Sequence, residues 1–332
     1  MHINISTLRG FSRWKPAAWL RVAGADAFTF LQGQFSQDLR GLEAGQGRYG
    51  LWLTVKGKVL ADSVVIRAAD ETGFWVVSAA VPADVIRARL EAFIIADDVT
   101  VEVVASELQA CTVVGDPLPV APSGVWVVPS RRVPDAVEWF FPLEAEALVE
   151  AALAGWSEMD AIVIEGVRIR AGRPAVPRDI GPEELPQEGG LEEDAVAFNK
   201  GCYLGQEVMA RLHAMGRVRR RLLRVRGPGP APAAGQVVFD GERRVGEIRS
   251  AVEDEAGFLA LALLTVPLSG GFGPLAYSAG GPAACEVLDP DYNFSTHTDS
   301  LVPREAPNSS TGAQVERPMR RTTCAQIGRA HV

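Results

Sequence analysis

The sequence contains little that could build a metal centre or a disulfide framework. Its 332 residues include only 4 cysteines and 4 histidines, and no two cysteines form a CxxC pair. Structural zinc sites need such spaced ligand pairs, and disulfide frameworks are typical of short secreted chains. We therefore expect reduced thiols in a cytoplasmic protein. The cysteines are Cys111, Cys202, Cys285 and Cys324.

Long apolar runs and an excess of positive charge are also missing. The longest apolar stretches, such as 258–264, are far too short to span a bilayer, so no membrane contact is expected. Residues 1–14 lack the charged start and the apolar segment of a signal peptide. Because the formal net charge is −8, binding of nucleic acid would need a local basic patch.

The sequence does contain the patterning of a folded protein of two or three domains. Alternating apolar residues predict strands at 19–23, 49–54, 59–66, 73–77, 99–104, 112–114, 125–128 and 139–142. Helical spacing predicts helices at 27–31, 83–93, 143–154 and 192–197. This order indicates an α+β unit with an antiparallel sheet and helices on one face. Short strands between residues 219 and 264, separated by Gly and Pro, predict a small C-terminal β-barrel.

The end of the chain differs from the rest. From about Asp289 the apolar periodicity stops, so we predict a disordered tail at 289–332, which cannot bury enough apolar surface to order itself. Residues 326–332 match the translation of a common sequencing adapter, which leads to the hypothesis of an artefactual tail. Sequencing the 3′ end of the gene tests it, and an intact native frame there would reject it. Cys324 and His297 are therefore left out of the functional assignment.

The segment 198–207, FNKGCYLGQE, is the most informative stretch for function. Gly201 and Gly205 let the backbone bend and place Cys202 on an accessible turn. A nearby cation would favour the thiolate, which could bind metal, carry a redox adduct or act as a nucleophile. Composition alone favours a blander alternative, a buried cysteine that fills space in a structural loop. The basic side chains near it in the sequence are Lys200, Arg211 and His213.

Residues 200–207 resemble the K-G-C-Y-x-G-Q-E signature of the YgfZ-type folate-binding proteins. These are relatives of the aminomethyltransferase, or T-protein, of the glycine cleavage system. The resemblance covers roughly residues 15–288, and in its R-I-E-A-G-x-P segment Arg170 stands at the usual Glu position, which puts a role of that acid in doubt. Further matching segments lie at 31–38, 52–62, 168–174, 185–188, 210–212 and 216–218.

This resemblance implies a three-domain, aminomethyltransferase-like fold around a central opening that holds tetrahydrofolate or a derivative. The expected domains are a discontinuous folate-binding domain of residues 1–50 and 111–215, an inserted α+β domain of residues 51–110, and a barrel of residues 216–288. It also implies assistance to iron–sulfur protein assembly or repair, with indirect effects on tRNA modification. The implied partners are client proteins or assembly factors. Cys202 is the implied functional thiol and a candidate transient ligand of an iron–sulfur cluster.

A folate needs aromatic walls for its flat pterin and a few well-placed polar groups. The candidate walls are Trp19, Tyr49, Trp52 and Tyr203. The polar candidates are Gln34, Asp38, Glu188, Lys200, Gln206 and Arg211. Core packing of the tryptophans, and capping or solvated roles for the polar residues, are the alternatives.

A working aminomethyltransferase is a second reading of the resemblance. The Asp that assists the folate nitrogen in those enzymes falls at Ala61 here, and Asp62 follows one residue later. Because neighbouring residues of a strand face opposite sides, Asp62 is not expected to substitute, and transferase activity is not expected either.

An RNA-binding module is a third reading, based on the arginine-rich run at 217–226. A solvated strand face that pairs with the acidic excess is favoured over it. No aromatic residue interrupts the run, which argues against stacking on single-stranded RNA. Direct contact with tRNA is therefore not expected.

Overall fold

The computed structural model describes residues 8–70, 73–216, 218–267 and 271–289. Most of the predicted tail, with His297 and Cys324, lies outside these described residues, as does Arg217.

The strands of the first half are β1 (Gly10–Trp14), β2 (Ala18–Ala23), β3 (Gly47–Leu53), β4 (Val59–Arg67), β5 (Gly73–Ser78), β6 (Thr100–Val103), β7 (Leu108–Val114), β8 (Trp126–Pro129) and β9 (Val137–Pro142). The helices are α1 (Ala27–Gln34), α2 (Ala83–Glu91), α3 (Glu146–Ala152), α4 (Ala161–Arg170), α5 (Glu192–Ala195) and α6 (Gln206–Met215). The strands of the second half are β10 (Arg220–Gly227), β11 (Val237–Asp240), β12 (Arg243–Asp254), β13 (Gly257–Thr265), β14 (Leu275–Ala276) and β15 (Ala283–Val287).

The first sheet is antiparallel, with the strand order β3-β4-β5-β2-β6. Because side chains alternate along each strand, one face buries Leu20 and Val65 against α1 and α2. This confirms the predicted α+β arrangement with helices on one face. The opposite face carries Trp19, Tyr49 and Asp62, as the pairing of the strands requires.

A second antiparallel sheet, in the order β1-β7-β9-β8, covers part of that opposite face. Trp19 and Val77 of the first sheet pack there against Leu108 and Phe140 of the second. Tyr49 lies farther along the same face and packs instead against the cluster that contains Tyr203. The first sheet therefore has a core on each side.

The C-terminal strands close into a barrel in the order β10-β13-β12-β11-β14-β15, which confirms the predicted barrel. Its strand β13 is almost continuously apolar because both of its faces are buried. Ala260 and Ala262 belong to the cluster of the barrel, whereas Leu261 packs with Ile169 of α4 and Leu263 packs with the cluster around Tyr203. The barrel is thereby joined to the rest of the described chain by apolar contacts.

The predicted boundary at residue 50 does not follow the strands. Strand β3 runs through it from Gly47 to Leu53, and β2 pairs along its length with β5, with Ala18 opposite Ser78. Backbone groups of strands on the two sides of that boundary therefore satisfy one another within one sheet. The division into three domains stays a prediction.

Several elements differ from the sequence-based expectation. The predicted helix at 143–154 begins as a 3-10 turn, Leu143–Ala145, and continues as α3. Helices α4 and α6 and strand β1 were not predicted. Helix α4 starts after Asp160, whose carboxylate accepts a hydrogen bond from the Ile162 N–H at 2.9 Å.

Candidate functional site

Cys202 lies on an exposed turn between α5 and α6. The turn ends at Gly205, whose φ of 86° is in the left-handed region that favours glycine. A Cβ atom at Gly205 would stand 2.7 Å from the carbonyl oxygen of Thr54, so the turn lies directly against the β3–β4 hairpin. The thiol is accessible, as the flanking glycines predict, and is not a buried filler.

The residues on both sides of this thiol are hydrogen-bonded to one segment at the end of α1. On the N-terminal side, Lys200 Nζ donates to the carbonyl oxygens of Phe35 and Gln37, at 2.8 Å each. On the C-terminal side, the Leu204 N–H donates to the Gly33 carbonyl at 3.1 Å. The exposed thiol therefore has a fixed support on both flanks.

The ammonium group of Lys200 does not serve the thiol as the sequence suggests. Lys200 is only 7% exposed, and its Nζ lies 5.2 Å from the centre of the Tyr203 ring. Burial lowers its pKa to about 8. Its donors are directed to backbone carbonyls inside the protein, so the predicted cation beside the thiol is not Lys200. The same bonds leave its predicted contact with folate without structural support.

A second polar group lies on the inner face of the first sheet. The Tyr49 hydroxyl donates to Asp62 Oδ2 at 3.0 Å, and burial raises the pKa of Asp62 to about 6. The Arg131 guanidinium lies 5.6 Å from the centre of the Tyr49 ring, and its Nε is 2.8 Å from Asp194 Oδ2. Strands β3 and β4, the segment after β8 and helix α5 thus meet here. We call Tyr49, Asp62, Arg131 and Asp194 the central cluster.

The position of the central cluster bears on the question whether Ala61 or Asp62 faces the candidate site. Ala61 is fully buried in the core under α1 and α2, opposite Trp52 in the strand pairing. Asp62 points to the other face and is bonded to Tyr49. The two residues do face opposite sides, as strand geometry demands, but the carboxylate is the one on the face of the cluster. The expectation that Asp62 does not substitute assumed a site on the face of Ala61, whereas the central cluster lies on the face of Asp62.

The predicted aromatic walls divide between the two faces of the sheet. Trp52 is fully buried on the helix side, where its Nε1 donates to Ser63 Oγ at 2.8 Å, so it is a core residue and not a wall. Trp19 lies on the face of Tyr49, and its buried Nε1 has no hydrogen-bond partner among the described residues. The buried Tyr203 hydroxyl also has no hydrogen-bond partner among the described residues, and burial raises its pKa to about 12.

The predicted polar residues mostly have local partners. Gln34 Oε1 accepts from Arg89 Nη1 at 2.8 Å. Asp38 is bonded to Arg40 and Gln32, and the Arg40 contact holds the pKa of Asp38 well below its usual range. The structure therefore does not bring Gln34 and Asp38 into the contacts of the central cluster.

The three remaining polar candidates lie near the thiol turn or the barrel. Glu188 Oε2 accepts from the Leu185 N–H at 2.7 Å, and its Oε1 accepts from Arg220 Nε at 2.8 Å. Gln206 Oε1 accepts from the Tyr203 N–H at 3.3 Å, which supports the start of α6. Arg211 is exposed on α6. Glu188 thus bonds to its own turn and to the barrel, and Gln206 supports the thiol turn. A role of the three residues in folate binding stays a prediction.

Arg131 and Asp194 were not predicted from the sequence. Each stands among other charged residues, in segments without strong periodicity, and the two are far apart in the sequence. No local sequence motif indicates a function for either residue. Only the folding of the segment after β8 against α5 brings the two side chains together.

The arginine-rich run pairs with acidic residues, as its favoured interpretation predicts. Arg220 pairs with Glu188, Arg226 pairs with Glu286 at 2.7 Å, and Arg224 binds Asp289 at 2.5 Å. These three arginines of β10 are thus neutralised by carboxylates of the same chain. Their ion pairs argue against a role in binding RNA phosphates.

Arg170, at the family's usual Glu position, ends helix α4. Its Nη2 lies 3.1 Å from Asp254 Oδ2 on β12, so it forms an ion pair with the barrel. A role in holding α4 to the barrel accounts for this cation in the present chain.

No group of three or more His, Cys, Asp or Glu side chains that could hold a metal ion occurs within the described residues. Within the same residues, no helix has the length and apolar character needed to cross a membrane.

Comparisons with known proteins agree with this architecture. Residues 15–118 match the GCVT N-terminal domain, and residues 219–269 match the CAF17 C-terminal beta-barrel domain. The chain is 27% identical over 276 residues to the tRNA-modifying protein YgfZ of Sodalis glossinidius (strain morsitans), covering 76% of this chain and 82% of that protein. It is 28% identical over 302 residues to the human mitochondrial iron–sulfur cluster assembly factor IBA57, covering 82% of each.

The fold is also seen in a solved structure. The glycine cleavage system aminomethyltransferase T from Bartonella henselae superposes with a TM-score of 0.65 over 79% of this chain and 80% of that chain, at 21% identity. At this identity the likeness shows the fold alone. The chain thus combines a GCVT N-terminal domain with a CAF17 C-terminal β-barrel in an aminomethyltransferase-like fold, and its resemblance to the YgfZ-type proteins is confirmed.

Proposed function

We propose that the chain is a cytoplasmic protein that binds tetrahydrofolate or a derivative and assists the assembly or repair of iron–sulfur proteins. Effects on tRNA modification then follow indirectly, through iron–sulfur enzymes. The observation that carries the proposal is the exposed Cys202 on a turn bonded on both flanks, within a segment that matches the YgfZ-type signature. The names of two relatives, a tRNA-modifying protein and an iron–sulfur cluster assembly factor, also support this proposal.

The central cluster fits a folate by the chemistry of its groups. It combines an aromatic ring, a carboxylate with a raised pKa, and a guanidinium. Buried polar atoms without protein partners are rare, and in this cluster Arg131 Nη1 and Asp194 Oδ1 are such atoms among the described residues. Tyr49, Asp62 and Arg131 would hold the pterin. A bound tetrahydrofolate supplies a carrier for one-carbon units.

Cys202 would take part in the handling of a cluster in transit. A thiol loses its proton when it binds iron, so an accessible thiol can exchange between a free and a ligated state. A single thiolate cannot complete the coordination of an iron–sulfur cluster, which normally needs four ligands. The remaining ligands would come from the client protein or assembly factor, and the fixed support of Cys202 would present the sulfur to it.

Complementation of a strain that lacks such a factor tests the role of the thiol. We expect Cys202→Ala to fail to restore the activity of iron–sulfur enzymes, whereas Cys285→Ala restores it, because Cys285 is buried in the barrel. Equal protein levels of both variants, checked by immunoblot, are required. Full rescue by Cys202→Ala would reject the thiol role.

A folate-dependent one-carbon transferase is the second candidate function. It is favoured by the position of Asp62, whose carboxylate is on the face of Tyr49 and has a pKa of about 6. A carboxylate with a pKa near neutrality can accept and release a proton at working pH. The purified chain would be assayed for methylene-tetrahydrofolate formation from an aminomethyl donor. Turnover that Asp62→Asn abolishes would favour the enzyme, and none in the wild type would exclude it.

A further inference from the structure

Arg131 and Asp194 keep buried donor and acceptor atoms that make no hydrogen bond among the described residues. Asp194 Oδ2 lies 2.8 Å from Arg131 Nε and accepts from Arg173 Nη1 at 2.6 Å. The other carboxylate oxygen, Oδ1, is buried without a hydrogen-bond partner among the described residues. The same is true of Arg131 Nη1 and of Arg131 Nε, whose contact with Asp194 Oδ2 is an ion pair without hydrogen-bond geometry. Two neighbouring side chains, held together by an ion pair, thus both keep unsatisfied polar atoms, and Nη1 and Oδ1 are the two that this ion pair does not use.

Such a pair is unfavourable unless something completes it. Burial of a polar atom without a partner carries the full penalty of removing it from water. Arg131 is an obligate donor, and the carboxylate of Asp194 is an acceptor. The complementary partner therefore offers an acceptor beside a donor, which is the pattern of a lactam edge, with a carbonyl oxygen next to an N–H. A carboxylate ligand would satisfy Arg131 but would repel Asp194.

The pair also has a definite place beside the candidate folate site. Arg131 lies over the ring of Tyr49, and Tyr49 is bonded to Asp62. A flat heterocycle that uses the central cluster could therefore present its edge to Arg131 and Asp194. The pterin of a folate carries a carbonyl at C4 next to an N–H at N3.

We propose that Arg131 and Asp194 recognise the lactam edge of the pterin. Arg131 Nη1 donates to the C4 carbonyl oxygen, and Asp194 Oδ1 accepts from the N3–H. This inference rests on the proposed folate binding and adds to it the residues that select a 4-oxo heterocycle. The ion pair with Arg173 fixes the carboxylate, so that its second oxygen stays available.

Titration calorimetry with 5-formyltetrahydrofolate tests the pair. In Asp194→Asn the amide oxygen keeps the contacts with the two arginines, and the NH2 group takes the place of Oδ1, so an acceptor becomes a donor. Arg131→Lys keeps the charge but loses the planar fork. We expect both variants to bind about 10- to 100-fold more weakly than the wild type, since each loses a hydrogen bond between the ligand and a charged side chain.

Arg132→Lys is the matched control, because Arg132 is the sequence neighbour of Arg131 but pairs with Glu138. Its affinity should stay within about twofold of the wild type, on the expectation that it lies outside the site. Wild-type affinity in both Asp194→Asn and Arg131→Lys would overturn the inference and leave folate binding intact. Absence of binding by the folded wild type would overturn both.

A ligand-side experiment needs no variant and keeps the inference testable if a variant fails to fold. The 4-amino analogue of 5-formyltetrahydrofolate carries a donor at C4 and an acceptor at N3, which reverses the pattern. The wild type should bind this analogue at least about 10-fold more weakly, because both contacts become mismatched. Equal affinity for the 4-oxo and 4-amino ligands would overturn the inference.

Discussion

Lys200 lies inside the protein with its ammonium nitrogen 2.8 Å from the carbonyl oxygen of Phe35, two residues before the exposed thiol of Cys202. The two side chains of this short turn have different roles. The buried lysine holds the turn to the segment after α1 by hydrogen bonds, and the exposed cysteine is accessible to a partner protein. The thiol role and the folate site of the central cluster lead to the following predictions.

Lys200→Met should loosen the thiol turn. Methionine fills the same space but leaves the carbonyl oxygens of Phe35 and Gln37 without their donor, which costs about 1–3 kcal/mol of unfolding free energy. Urea unfolding measures the loss, and hydrogen exchange of residues 198–204 should accelerate. Lys58→Met is the control, because Lys58 donates to the Glu183 carbonyl at a more exposed position. Unchanged stability and exchange in Lys200→Met would contradict the anchoring role.

Lys200 should also leave a signature in the dependence of stability on pH. Its pKa is about 8 in the folded protein against 10.5 for the ordinary side chain. Between these values the unfolded chain binds more protons, so stability rises with pH. The wild type should therefore gain stability relative to Lys200→Met between pH 8 and 10.5. A constant difference over that window would show that the buried amine does not titrate there.

Asp62→Asn should stabilise the protein at neutral pH. Burial raises the pKa of Asp62 from 3.8 to about 6, so the folded state binds more protons between these values and its stability falls as pH rises through them. An amide has no such penalty and can still accept from the Tyr49 hydroxyl. We expect a gain of about 1–3 kcal/mol at pH 7.5 that shrinks towards pH 4. Urea unfolding at both pH values measures it, and equal effects at both would contradict the shifted pKa.

Gly205→Ala should destabilise the protein more than Gly216→Ala. Both glycines have positive φ, 86° and 70°, so both variants carry backbone strain of about 1 kcal/mol. A Cβ at Gly205 would also collide with the Thr54 carbonyl oxygen at 2.7 Å, whereas a Cβ at Gly216 would have no atom of the described residues within 4 Å beyond its chain neighbours. Thermal unfolding should show a clearly larger loss for Gly205→Ala. Equal losses would mean that the turn does not rest on the hairpin.

Alkylation of the native protein should separate the three cysteines of the described residues. Cys202 is exposed, whereas burial raises the pKa of Cys111 to about 12 and that of Cys285 to about 11. Iodoacetamide should therefore label the Cys202 peptide first, as followed by mass spectrometry. Labelling of all three at one rate in the folded protein would contradict the exposed turn.

The sequence was sufficient where the signal is local. The alternation of β2 to β5 predicts an antiparallel sheet, and the apolar run of β13 predicts a strand, although not that the strand is buried on both faces. Helix α6 was not predicted, although Val208 and Leu212 recur at helical spacing and Met209 beside them is buried. Helix α4 was missed because its sequence has no amphipathic period, with Ile162 exposed and Arg168 buried.

For the candidate site, too, the sequence predicts local features but not those that depend on long-range packing. Strand geometry tells that Ala61 and Asp62 face opposite sides, but only the packing of α1 and α2 decides which side becomes core. The Arg131–Asp194 pair depends on long-range folding and has no sequence signature. The thiol, by contrast, lies in a contiguous motif, and its exposure followed from two glycines.

Binding of a folate by the purified chain tests the central claim most directly. Titration calorimetry of the wild type with 5-formyltetrahydrofolate should show saturable binding to a single site, since one central cluster contains the unpartnered polar atoms of Arg131 and Asp194. A folded protein that gives no saturable signal at millimolar ligand, on the order of the weakest specific affinities, would contradict the account.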